Sequence, residues 1–272
     1  MLPFGLNQMT VPHASLDDVL EIAQKTGCVG VEFRNDLGRA ICDGLAPEAV
    51  EKKAKSTGLR ILALAEVKAF NDPDVDPIPQ ATALVDFAQS CGAEGVALIP
   101  RVATAPVSRT QQRQMLLNAL TKLGPVFAGT GVVGLIEPLG FGVSTLRYKD
   151  DVAEVLHQLG MPSYFRIVHD TFHHHLVEDD TMHADLTGLV HISGVDDRQV
   201  EAFEMQDEHR VLVGQDDRLG NVSQLRRLQK DGYRGPASFE AFADKVHTIA
   251  QPALALTSSM EVIADQMLGV PA

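Results

Sequence analysis

The chain has 272 residues, of which 45% are hydrophobic and 22% charged, and its 23 basic and 36 acidic residues leave a net charge of −13. This is the balance of a folded globular protein, and the acidic excess argues against nucleic acid or an anionic membrane as a partner. No stretch approaches the roughly 18 consecutive apolar residues of a membrane span. The opening Met1-Leu2-Pro3-Phe4-Gly5 lacks the basic and apolar regions of a secretory leader. Three cysteines, Cys28, Cys42 and Cys91, form no C-x-x-C pair. They fit neither a disulfide framework nor a zinc ribbon, and they point to a reducing, cytoplasmic setting with the thiols as packing residues.

Along the chain, short runs rich in Val, Ile, Leu and Phe alternate with longer segments of helical periodicity. The runs predict buried parallel strands near Pro3–Asn7, Val29–Arg34, Arg60–Glu66, Gly95–Pro100, Val132–Glu137, Phe165–Asp170, Gly188–Ser193 and Ala237–Glu240. Ser15, followed by Asp17 and Asp18, is placed to cap a first helix. Pro47 suits the first turn of a second, which should stop before Gly58. Further helices are predicted over Ile78–Cys91, Arg109–Ala128, Lys149–Leu159, Val222–Asp231 and Ala243–Leu268. The crossover before the seventh strand is the exception, since His173–Ala184 leaves room for only a loop and a stub of helix. Strands recur about every 33 residues, the length of one βαβ unit, and no Pro-, Gly- or Ser-rich linker divides the chain. The expectation is a single (β/α)8 TIM barrel over residues 1–272, with an open doubly wound sheet as the alternative.

In such a barrel the chemistry lies at the C-terminal ends of the strands. There the fifth strand ends in Glu137-Pro138, the sixth in His169-Asp170 and the eighth in Phe239-Glu240, and the seventh carries His191. Three carboxylates and an imidazole at one rim are a hard, oxygen-rich set suited to one divalent ion: Mn²⁺, Mg²⁺, Co²⁺ or Zn²⁺. Without a cation, three converging carboxylates would repel one another.

Glu137-Pro138, Asp170-x-x-His173, His191 and Ser238-Phe239-Glu240 together resemble the metal-site pattern of the xylose-isomerase-like TIM barrels, over most of the chain. Val31-Glu32-Phe33-Arg34-Asn35-Asp36, Glu137–Phe141 and Asp170–His175 are most similar to the inosose (2-keto-myo-inositol) isomerase branch. The resemblance implies that Glu137, Asp170, His191 and Glu240 are metal ligands. It further implies that Glu137 and Glu240 move protons, and that His173 and Arg198 hold substrate oxygens. The implied activity is isomerisation of a keto-polyol through an enediolate. Hydroxypyruvate isomerase, ketose epimerase and inosose dehydratase are alternatives on the same scaffold, and a sugar-binding barrel without chemistry is a further one. Ketose 3-epimerases of this superfamily carry a second glutamate six residues after the first ligand; here that position is Val143. A DNA-repair activity like that of endonuclease IV would need more histidines on the early strands and a basic face.

Several other residues have two readings. Arg34 and Glu32 could close the barrel as an ion pair, Asn7 could plug its mouth, and Lys68, Asn71 and His209 could face substrate or solvent. His174 and His175 read as loop packing. Gly129-Thr130-Gly131-Val132-Val133-Gly134 matches G-x-G-x-x-G but leaves a helix and enters a strand, the reverse of a dinucleotide fingerprint. Association into dimers or tetramers is compatible with such a barrel, although no interface stripe stands out; the apolar residues of the last helix are assigned to the core.

Overall fold

The structure, a computed structural model, describes residues 3–177 and 179–269. Eight parallel strands, β1 (Phe4–Asn7), β2 (Gly30–Arg34), β3 (Arg60–Lys68), β4 (Gly95–Ile99), β5 (Val133–Ile136), β6 (Phe165–Asp170), β7 (Thr187–Ile192) and β8 (Ala237–Phe239), pair in chain order. β8 closes on β1 with Phe4 opposite Ala237, which makes the closed TIM barrel and excludes the open sheet. The crossovers are α1 (Leu16–Thr26), α2 (Pro47–Thr57), α3 (Ile78–Cys91), α4 (Arg109–Phe127), α5 (Lys149–Gln158), α6 (Thr171–Leu176) and α7 (Asn221–Lys230). After β8 come α8 (Asp244–His247) and α9 (Pro252–Leu268). No described helix is long and apolar enough to cross a membrane.

Local chemistry explains the boundaries. The Ser15 hydroxyl accepts from the Asp18 N–H while the Asp18 carboxylate accepts from the Ser15 N–H, a reciprocal cap that starts α1. Two differences from the sequence reading also have local causes. The helix expected over Ala243–Leu268 is split, because Pro252 has no N–H to continue a helix and instead begins α9 as its first residue. The sixth crossover starts earlier than expected, at Thr171, because the Asp170 Oδ1 accepts from the N–H groups of Phe172 (2.7 Å) and His173 (3.0 Å) and so caps α6 directly at the strand end.

Strand alternation builds the interior in layers. Leu62, Leu135, Val168 and Leu189 form an apolar floor inside the barrel. A Cβ at Gly30 would stand 2.8 Å from Leu62 Cγ, and one at Gly95 2.6 Å from Leu135 Cδ1, so both positions must be glycine for the leucines to fill the barrel. Two residues beyond Leu135, Val168 and Leu189 on the same strands come Glu137, Asp170 and His191. The period of two therefore carries each of these strands from floor to mouth. The helices pack outside around a larger core that includes Phe33, Phe127, Phe165 and Phe239.

Candidate metal centre

Glu137, Asp170, His191 and Glu240 converge at the C-terminal mouth, each almost fully buried. One ligand atom from each lies within 4.8 Å of the other three, and among the described residues this is the one such group of His, Cys, Asp and Glu. Two donors about 2.1 Å from one ion stand at most about 4.2 Å apart, so closing the set on a cation requires movements of a fraction of an ångström. Three carboxylates and one imidazole also have the donor chemistry of a divalent site. Asp170 has only its Oδ2 to give, since Oδ1 caps α6.

The imidazole of His191 is held between carboxylates. Its Nε2 is 3.1 Å from Glu32 Oε2, while Nδ1 is 3.4 Å from Glu137 Oε1 and 3.3 Å from Glu240 Oε2. Burial opposes its charge, but Glu240, Glu32 and Glu137 together hold its pKa well above the ordinary imidazole value. The two glutamates differ. Burial pushes Glu137 up to about 7 against the pull of His191, its side-chain partner. Burial would also raise Glu240, yet His191, Arg210 and Arg34 hold it well below the usual carboxylate range. Glu240 accepts from Arg34 Nη1 (2.8 Å) and Asn7 Nδ2 (3.2 Å) through Oε1, and from Arg210 Nη2 (3.0 Å) through Oε2.

Arg210 is a second arginine at this site, beside Arg34, and sequence reasoning missed it. It is 1% exposed and donates to Asp170 Oδ2 (2.6 Å), Glu240 Oε2, Ser193 Oγ (3.0 Å) and Asp207 Oδ1 (3.1 Å), with its guanidinium 4.4 Å from the Phe242 ring centroid. Arg198, which the family resemblance assigned to substrate oxygens, has a side chain 79% exposed and pairs with Asp216. The reason is the path of the loop. After β7 the chain makes an excursion to the surface and returns through an antiparallel bridge of Val211 with Gly194, which brings Arg210 to the mouth. The apolar Val211-Leu212-Val213 run was the available signal of that return.

His173 is buried between Phe141 and Phe172, with ring centroids 5.0 and 5.2 Å away, and its Nδ1 has no hydrogen-bond partner. Burial lowers its pKa and so favours the neutral ring. His169, on the same strand as Asp170 but facing the helices, meets Lys149 Nζ at 2.9 Å and Gln224 Oε1 at 2.8 Å. Asn71 is buried and serves the fold, accepting from the Arg101 N–H and the Thr145 hydroxyl, whereas Lys68 is exposed. His209 takes a hydrogen bond from the Gln206 N–H within its own loop. A cavity of about 470 Å³ over the β5–β7 loops is bordered by Phe141, Arg147, Leu176, Phe203, Met205 and Asp207.

A family model described as the xylose isomerase-like TIM barrel matches residues 20–266, and the chain belongs to that family. No curated protein matches it. Among solved structures it is similar to a xylose isomerase domain containing protein from Salmonella typhimurium LT2 (TM-score 0.87, 28% identity, 98% of this chain and 97% of that one). It is also similar to the IolI protein with a bound zinc atom (0.82, 19%, all of both chains). A third is the 3-keto-D-glucoside 4-epimerase of E. coli (0.74, 18%, 97% and 99%).

Proposed function

We propose that the protein is a divalent-metal-dependent sugar isomerase or epimerase acting on a small keto-polyol, with inosose as the favoured substrate. The observation that carries this reading is the convergence of Glu137, Asp170, His191 and Glu240 on one buried point. The zinc in IolI and the activity of the keto-glucoside epimerase, both on this fold, support it. Glu137, Asp170, His191 and Glu240 would hold the cation. When bound, it supplies the positive charge that an enediolate needs at its two oxygens.

The chain's own residues supply the rest. A carboxylate removes the proton from the carbon bearing the hydroxyl, leaving the enediolate. The hydroxyl proton passes to the former carbonyl oxygen, and the carboxylate returns its proton to the neighbouring carbon, so the 1,2-shift balances without an external oxidant. Glu137 is assigned as this base, because Glu240 is already bound by Arg34, Asn7 and Arg210. Glu240, across the rim, is placed to meet the opposite face in an epimerisation. The free nitrogen of His173 and the guanidinium of Arg210 hold the substrate's oxygens in place. The test is incubation of metal-loaded protein with 2-keto-myo-inositol, hydroxypyruvate and common ketoses in D₂O, followed by proton NMR. Deuterium at the α-carbon with a new inosose isomer is expected; an unsaturated diketone would make the enzyme a dehydratase. Absence of exchange with every substrate would reject the activity.

A further inference from the structure

Glu32 has no role in the chemistry just described, yet it is a fully buried carboxylate inside the barrel. It lies on β2, opposite Asn7 of β1 in the strand register, and reaches His191 of β7 across the interior. Sequence reasoning paired it with Arg34, but Arg34 turns to Asp36, Glu66 and Glu240. What Glu32 meets is His191 Nε2, 3.1 Å from its Oε2, while its Oε1 has no partner. A polar group so far from water is tolerated only beside a hydrogen-bond partner. A carboxylate can only accept, so the ring nitrogen facing it must carry the hydrogen. The other nitrogen, Nδ1, faces the oxygens of Glu137 and Glu240 and is the one that gives up its proton when a cation takes its place.

We propose that Glu32 is a positioning residue that fixes the ring proton of His191 on Nε2 and the ring plane with it, so that Nδ1 is the nitrogen offered to the cation. The inference rests on the reading of the four residues as cation ligands. A carboxylate behind a ligating imidazole sets its tautomer and raises its basicity, and loss of such a partner typically costs about 10- to 100-fold in metal affinity.

The test uses chelator-stripped full-length protein titrated calorimetrically with Zn²⁺. Glu32→Gln keeps an acceptor but removes the charge and should raise the Kd about 10-fold; Glu32→Leu removes both and should raise it about 100-fold. Thermal melts establish that each variant is folded, and the isosteric glutamine variant stands if the leucine variant does not fold. Nitrogen NMR of histidine-labelled, Zn²⁺-loaded protein should show zinc on Nδ1 and a slowly exchanging Nε2–H on His191 in the wild type, and faster exchange of that proton in the folded variants. Wild-type affinity and unchanged exchange of the Nε2 proton in the variants, or zinc on Nε2 in the wild type, would overturn the role of Glu32 alone. Failure of the wild type to bind Zn²⁺ would overturn the ligand reading and this inference together.

Discussion

The two halves of the barrel do different work at the same mouth. β5 to β8 end in Glu137, Asp170, His191 and Glu240, the groups that face one another. β1 and β2 carry Asn7, Glu32 and Arg34, and the end of β3 carries Glu66; these buried groups grip that set from the side. Asn7 and Arg34 hold Glu240, Glu32 holds His191, and Glu66 faces Arg34. The difference teaches that a charged site in a low-dielectric interior needs a second set of charges to keep it in place. The two glutamates are also asymmetric: His191 and Arg210, with Arg34 from the first half, hold Glu240 below the usual carboxylate range, whereas burial raises Glu137.

This division can be broken experimentally from either side. In the second half, Glu137→Gln should lower kcat by about 100- to 10,000-fold, the range for loss of a general base, with the fold intact by circular dichroism. Turnover near that of the wild type would remove Glu137 from the chemistry. In the first half the larger effect should fall on stability. Arg34→Met leaves Asp36, Glu66 and Glu240 without their common cation and should cost about 3–5 kcal/mol in urea unfolding, as for a broken buried pair. A change below about 1 kcal/mol would mean that the clamp is as dispensable as a surface ion pair.

Behind the second half, outside the barrel, Lys149 gives a pH-dependent contrast. Burial pushes its amine down to about 7, against about 10.4 in an unfolded chain. Between those values the unfolded state binds a proton that the folded state does not, so stability rises with pH through this window. The slope reaches up to about 1.4 kcal/mol per pH unit. Below pH 7 both states are protonated and the full penalty of burying the charge applies. Lys149→Met lacks this contribution, so wild type minus variant stability should climb from pH 7 to 10; a flat difference would place the amine in a wetter environment. The smallest effect is expected at Arg198→Ala, within about twofold in kcat/KM, since an exposed ion pair contributes little. A large loss there would return substrate binding to the arginine that the structure places at the surface.

The strand positions and the four converging residues were legible in the sequence because parallel strands buried on both faces are nearly unbroken apolar runs, so a charged residue at the end of one stands out. Helix starts were legible where a cap or proline marks them, as at Ser15 and Pro47. The break in the last helix was readable in principle from Pro252. The supporting residues Asn7, Glu32 and Arg34 stood out at the ends of the first two strands, but their partners did not, because those lie far away in sequence: Glu32 meets His191, and Arg34 meets Glu240. Arg210 was hidden by a similar cause. A loop that goes to the surface and comes back leaves Arg198 on an exposed ion pair with Asp216, and only the bridge at Val211 reveals which arginine returns to the mouth.

Anomalous diffraction from crystals soaked in Mn²⁺ or Zn²⁺ tests whether β5 to β8 deliver four ligands to one cation. A single peak is expected in the mouth, bonded to Glu137, Asp170 Oδ2, His191 Nδ1 and Glu240. A mouth without a peak at saturating metal, or an ion bound elsewhere on the chain instead, would contradict it.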